Sequence, residues 1–275
     1  MQGLPPEVRG TYGGNSSWVS MQIGDEWLIF DAGSGIRMLG QDLMATEFGR
    51  GQGKASLFFS HTHWDHILGI PFFAPFYIKG NQFILHSPLP DIRERLESQQ
   101  KPEYFPIPFS FYDSDIDFVV LEDKTEQNIG DMKITWKAMF HSGQCFAYRV
   151  DYKGKSVVYA TDAEYKKLGS SDLKHNVEFF RDADLLIFDS MYTFSEVLEK
   201  EDWEHSSSFI GVDLAVEANV KQIAFFHHEP TCSDFKLTDI FRQTEKYLKL
   251  VASEYELKMF LSYEGLSVDL FNEPA

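Results

Sequence analysis

Cysteine is scarce in this sequence. Cys145 and Cys232 are the two among 275 residues, so no disulfide framework holds the fold. Positive charge is also short: 25 Lys and Arg face 42 Asp and Glu, a formal net charge of −17 at pH 7. Such a chain repels polyphosphate and lacks the Lys/Arg patch that releases condensed counterions, so a long RNA or DNA partner is not expected. No apolar run reaches the roughly 18 residues of a membrane span, which removes a membrane partner from the expectations. The N-terminal stretch MQGLPPEVRG has neither the basic start nor the apolar core of a signal peptide, and a cytoplasmic location is expected. Internal repeats, low-complexity tracts and Gly/Ser-rich linkers are missing as well, and a single domain over 1–275 is the simplest organisation.

What the chain has in excess is phenylalanine. Its 25 Phe bring the aromatic share to 15%, which points either to thick packing or to an aromatic-lined pocket. With 43% hydrophobic and 24% charged residues the composition is that of a globular protein with a sizeable core. Short β-type runs, bounded by turn residues, predict strands at 18–23, 27–30, 57–59, 82–85, 134–139, 147–152, 156–159, 185–188 and 223–226. Helical patterns occupy 91–100, 209–218 and 237–251, the last with Thr238 or Asp239 as candidate caps. Residues 101–112 stand apart. Three prolines there forbid a long helix and five aromatics require burial or a ligand, so the segment is either a loop pinned by its own rings or a lid.

The stretch from Leu57 to Gly69, LFFSHTHWDHILG, carries the chemistry. An apolar strand runs out at Ser60, and His61, His63, Asp65 and His66 follow at once. Neutral imidazole is the commonest protein metal ligand, and carboxylate oxygen joins it readily on a borderline divalent ion. Alternation aims His61 and His63 the same way, while Asp65 and His66 reach toward a second ion, so the spacing suggests two metals.

On these residues the chain resembles the metallo-β-lactamase superfamily, and four further stretches extend the resemblance over most of its length. Asp31 in FDAGSG is similar to the first-motif aspartate, which lies under the metal loop and orients it. His141 in FHSGQC is similar to the third-motif histidine, Asp162 in YATDAE to the bridging carboxylate, and His227 in FFHHEP to the closing histidine, with the adjacent His228 as the alternative. The resemblance implies that His61, His63 and His141 hold one ion, that Asp65, His66 and His227 hold the other, and that Asp162 bridges. It implies two divalent ions, zinc first, with iron or manganese as options. It also implies an α/β fold, a four-layer αβ/βα sandwich with the metals at one edge, and allows a homodimer, although no heptad or interface stripe stands out. Cys145 reads as a small core residue.

Two ions about 3.5–4 Å apart acidify a bridging water, and the resulting hydroxide is the expected nucleophile of a hydrolase. The run ADLLIFDSMYT followed by WEHSS is similar to the ribonuclease Z branch and its small-molecule phosphodiesterase relatives. By that match Asp189 orients His205, which protonates the leaving alkoxide or stabilises the phosphorane-like charge; Asp65, His205 and Asp189 are the residues assigned to catalysis. Transfer RNA is disfavoured on charge, and a small diester such as a cyclic nucleotide is the expected substrate. A lactonase or lactamase on the same scaffold, and a non-hydrolytic di-iron oxygen or redox sensor, are the alternatives. Glu196, Asp202 and Glu204 read as solvated loop charges, with Glu196 a second candidate partner for His205. Tyr192 reads as core or cleft, and His86 and His175 as surface or structural residues.

Overall fold

A computed structural model describes residues 10–122, 126–165, 171–193, 196–197 and 204–271. The chain divides into two compact units, one within Asn15–Lys124 and the other within Thr125–Ala275 together with residues 10–14.

The first unit is built on a five-stranded sheet in the order β1 (Val19–Ile23), β2 (Glu26–Phe30), β3 (Lys54–Phe58), β4 (Gln82–Ser87), β5 (Asp115–Val120). β1 and β2 form an antiparallel hairpin, and β2 to β5 run parallel. Parallel neighbours need crossovers, which carry the helices α1 (Ile36–Leu43), α2 (Trp64–Ile67) and α3 (Ile92–Ser98). The phenylalanine excess goes largely into packing here. Phe48, Phe73, Phe76 and Phe83 are all fully buried, with ring centroids 4.7–5.9 Å apart along the contacts Phe76–Phe83, Phe73–Phe76, Phe73–Phe83 and Phe48–Phe83. Each such ring contributes about 1.5–3 kcal/mol of burial. Residues 101–112 are pinned by their own rings: Tyr112 packs on Phe76, Tyr77 and Phe109, and its hydroxyl meets Gln100. Tyr104 and Phe111 remain exposed.

The second unit holds a seven-stranded sheet. Its strands are β6 (Gln127–Ile129), β7 (Met132–Met139), β8 (Cys145–Tyr152), β9 (Lys155–Ala160), β10 (Leu185–Asp189), β11 (Gln222–Phe226) and β12 (Lys258–Leu261). The order follows the chain; β6 to β9 pair antiparallel and β9 to β12 parallel. Its helices are α4 (Ser171–Phe180), α5 (Ser208–Glu217) and α6 (Asp234–Val251). The core of this unit includes Val158, Leu186, Phe188, Val212, Ala215, Ile223 and Phe225. α6 starts earlier than the apolar periodicity predicts, because Ser233 rather than Thr238 or Asp239 is its cap and accepts from the Lys236 N–H. Thr238 instead bonds back to the Asp234 carbonyl inside the helix.

Parallel pairing has one consequence for function in each unit. It sets the C-terminal ends of β2 and β3 side by side in the first, and those of β9, β10 and β11 side by side in the second, where open α/β sheets carry their sites. Among the described residues no helix is long and apolar enough to cross a membrane.

Candidate metal centre

In the first unit the chain leaves β3, passes Phe59 and Ser60, and turns into the short helix α2 with His63 as its N-cap. His61 and His66 are fully buried, and their rings lie 4.2 Å apart; His63 meets His61 edge-on at 4.5 Å. The ligand atoms of His61 and His63 fall within 4.8 Å of one another, as do those of Asp65 and His66. Asp65 Oδ2 lies 3.4 Å from His66 Nε2, with the carboxylate 44% exposed.

Asp31 organises this loop from below. It follows β2 directly, is buried, and holds a left-handed φ of 57°, the kind of local strain that packed functional sites retain. Its carboxylate accepts from the Ser60 N–H at 2.7 Å, the Ser60 hydroxyl at 2.6 Å and His66 Nδ1–H at 2.8 Å. Because Ser60 donates its proton to Asp31, its Oγ accepts from His61 Nδ1–H at 3.0 Å. One carboxylate therefore orients two imidazoles. Close backbone approach completes the frame. The Ala32 N–H donates to the His66 carbonyl and the Gly69 N–H to the Ala32 carbonyl, and a Cβ on Gly33 would strike the Asp65 carbonyl. Gly33 is required for the loop to sit where it does.

In the second unit Asp162 follows β9, His141 follows β7 and His227 follows β11. Asp162 is buried at φ 34°, and His227 stands at φ 58°. Asp162 Oδ2 lies 3.8 Å from His141 Nε2, and its Oδ1 lies 3.3 Å from His227 Nε2. His141 Nδ1–H donates to the Glu204 carbonyl at 3.0 Å. The paired histidines differ in their contacts: His228 Nε2 meets the Ser262 carbonyl at 3.1 Å just beyond β12, while His227 Nε2 faces Asp162.

The donor chemistry fits divalent metal. In His61, His66 and His141 a second partner engages Nδ1, which leaves Nε2 as the atom that could bind an ion, the arrangement in which metal-bound imidazoles are held. His227 likewise presents Nε2 to a carboxylate. Neutral imidazoles with carboxylates suit a borderline dication.

Beside His227, His205 Nδ1–H donates to Asp189 Oδ2 at 2.9 Å. Asp189 is wholly buried at the end of β10 and also accepts from the N–H groups of Ala163, Met191 and Ser206. Burial pushes the His205 imidazole down, but the bond to Asp189 and the charges of Asp189 and Asp162 outweigh it and hold the ring above its ordinary value. The His205 ring stacks on His227 at 5.1 Å, and Tyr192, itself buried, meets it edge-on. Cys145 is fully buried, as expected of a core residue.

Several charges are placed differently from the sequence reading. Glu204 is not a solvated loop charge. It is about a quarter exposed, sits at φ 63°, fixes His141 through its carbonyl and accepts from the Ser142 N–H. Glu196 is not the partner of His205: Lys236 and Thr193 hold it, and the Lys236 bond draws its carboxyl down to about 2. Asp202 lies outside the described residues. His86 and His175 match the two options given for them: His86 is buried and structural, and His175 is exposed on α4. Ser60 carries no sequence signal as a relay although it adjoins His61, and Glu204 has no local signal because its partner is 63 residues away.

The profile of the beta-lactamase superfamily domain matches residues 26–228, which takes in the loop, Asp162, His205 and His227. The chain belongs to that superfamily. Ribonuclease Z of Prochlorococcus marinus subsp. pastoris is 25% identical over 88% of this chain and 91% of its own length. Among solved structures, the metallo-beta-lactamase fold protein YhfI from Bacillus subtilis superposes with a TM-score of 0.67 at 19% identity, covering 94% of this chain and 95% of that one. The short form of human tRNase Z gives 0.58 at 17% identity over 80% and 87%. The α/β metallo-β-lactamase fold read from the sequence is thus the fold found, and family and donor clusters together imply divalent metal ions and a metal-dependent hydrolase.

One expectation is overturned. Exclusion of long nucleic acid on net charge does not stand, because the relatives that match along nearly the whole chain are ribonucleases by name. The physical reason lies in screening. At physiological ionic strength a charge is felt over about 8 Å, so the sum over the whole chain does not set the potential where a phosphate docks.

Proposed function

We propose that this protein is a metal-dependent phosphodiesterase acting on a small diester such as a cyclic nucleotide. On this reading His61, His63 and His141 hold one divalent ion, Asp65, His66 and His227 hold a second, and Asp162 serves both. What such a pair supplies when bound is acidification of water and neutralisation of phosphoryl charge.

The observation that carries the choice of bond is the buried Asp189–His205 pair. A carboxylate that holds Nδ1–H fixes the tautomer and leaves Nε2 to exchange a proton with substrate. As water oxygen joins phosphorus and the phosphorus–oxygen ester bond breaks, the departing alkoxide needs a proton, and His205 Nε2–H is the proposed donor. The same imidazolium opposes the charge that gathers on the equatorial oxygens. On the alternative reading of lactone or lactam opening, removal of Asp189 or His205 is expected to change turnover little.

A second reading keeps the reaction and enlarges the substrate to an RNA, and the names of the relatives favour it. The experiment is a substrate panel run side by side: 2′,3′- and 3′,5′-cyclic nucleotides, bis(p-nitrophenyl) phosphate, a transfer RNA with a 3′ extension, homoserine lactones and nitrocefin. Turnover of diesters that falls in Asp189→Ala and His205→Ala supports the proposal, with the small or the RNA diester deciding between the readings. Turnover of lactones or lactams without any diester would reject both.

A further inference from the structure

Glu204 stands immediately before the proposed proton donor His205, and no motif assigns it a role. Its backbone sits at φ 63°, a left-handed conformation uncommon for a residue with a side chain. Two of its groups converge on the turn between β7 and β8. The carbonyl accepts from His141 Nδ1–H at 3.0 Å, and the carboxylate accepts from the Ser142 N–H. Carboxylate Oε2 also lies 3.8 Å from His141 Nδ1, so this ring has a negative charge behind it. The residues that follow are each fixed elsewhere. His205 Nδ1–H donates to Asp189 Oδ2, the Ser206 carbonyl accepts from the Tyr192 N–H at 3.0 Å, and Ser207 caps α5. The His141 and His205 rings meet edge-on at 5.3 Å.

We infer that Glu204 is a positioning residue: it sets the affinity of the ion bound through His141 and ties that ligand to the proton donor beside it in the chain. The inference rests on the reading of His141 as a ligand and of His205 as an acid, and adds the residue that joins them. A ligand imidazole is oriented by the partner on its second nitrogen. Here that partner is a backbone carbonyl, which holds the ring only while its own peptide is held. The grip of the Glu204 carboxylate on the Ser142 N–H closes a ring of contacts around that peptide, and a carboxylate accepting from a backbone N–H makes a stronger bond than a neutral pair. Its charge also favours a dication at Nε2 of the same imidazole. Because the next residue is His205, a shift of the Glu204 peptide moves the acid together with the ligand.

The bland account is that Glu204 only closes a surface turn. The two separate in a measurement that needs no turnover. Zinc affinity is determined by competition with a chromophoric chelator for the wild type, Glu204→Ala, Glu204→Gly and Glu204→Gln, with His141→Ala as the reference for loss of the ligand itself. Melting of the metal-free proteins is recorded alongside, as is solvent exchange of the His141 Nδ1–H by NMR in the wild type and the Glu204 variants. Removal of such an outer contact predicts binding of one ion about 10- to 100-fold weaker in Glu204→Ala. Glu204→Gly, which takes the left-handed backbone without strain, should lose as much, and Glu204→Gln, whose amide oxygen still accepts from Ser142, should recover part of the loss. The His141 Nδ1–H should exchange faster in the alanine and glycine variants than in the wild type. With the preferred substrate at saturating zinc, the remaining loss should fall on kcat more than on KM. Wild-type zinc affinity in Glu204→Ala or Glu204→Gly, or a loss in Glu204→Gln equal to that in Glu204→Ala, would overturn the inference. Zinc binding by His141→Ala equal to that of the wild type would overturn the ligand reading along with it. Should the wild type prove to open lactones and no diesters, His205 is not the acid, and the zinc affinities still report on Glu204.

Discussion

Replacement of His86 by phenylalanine should remove a large part of the acid sensitivity of this fold. His86 lies on β4, 3% exposed, stacked on Phe58 with ring centroids 4.5 Å apart and planes 9° from parallel. Among the described residues neither of its ring nitrogens has a hydrogen-bond partner. Burial pushes the imidazole from its ordinary 6.5 down to about 4. The folded protein thus keeps the ring neutral, while the unfolded chain takes up a proton once the pH drops below 6.5. Its contribution is fully present above 6.5 and is lost as the pH falls from there through 4. At about 1.4 kcal/mol per pH unit, that separation corresponds to about 3 kcal/mol in full, of which about 2 kcal/mol is gone by pH 5. Phenylalanine keeps the stacked ring and cannot titrate, so the two proteins should agree within about 1 kcal/mol at pH 8. The assay is urea unfolding of both in the presence of chelator, so that the ligand histidines contribute equally. The variant should gain about 2 kcal/mol on the wild type between pH 8 and pH 5. Parallel pH dependences would refute the reasoning.

Asp189→Asn should destabilise the fold by about 1–3 kcal/mol, because the new amide faces either the Met191 N–H or the donors from Ala163, His205 and Ser206. It should also cut diester turnover by about 10²- to 10⁴-fold, and a variant with unchanged kcat would remove His205 from the reaction. Gly33→Ala drives a Cβ into the Asp65 and Ser17 carbonyls and should displace the loop. About 1–3 kcal/mol of stability and part of the bound metal should be lost together, and an alanine variant with wild-type metal affinity would contradict the tight-approach argument.

The ends of β2, β3, β9 and β11 were legible because apolar runs stop at an acid or an imidazole, a juxtaposition that burial alone does not explain. α1 was not. Its buried stripe of Ile36, Leu39, Gly40 and Leu43 has helical spacing, but Gly33 and Gly35 just before it and Gly40 within it read as turn punctuation. β5 opens on Asp115 and is only partly buried, and β12 is four residues long, so neither carries a clear alternation. The site shows the same division. Asp31 and the loop it orients are close to motif spacing, whereas the Ser60 relay and the hold of Glu204 on His141 depend on tertiary contacts that spacing does not encode. Net charge misled for a related reason: it averages over a surface, and a phosphate responds to the groups within a screening length.

Hydrolysis by this protein is expected to require divalent metal bound by imidazoles and carboxylates, and the most direct measurement is elemental analysis of protein purified without added metal, paired with the same analysis of Asp162→Ala. About two transition-metal ions per chain are expected in the wild type, falling to one or none in the variant together with hydrolysis. Active wild-type protein holding only traces of metal, or an Asp162→Ala variant that retains both ions, would contradict it.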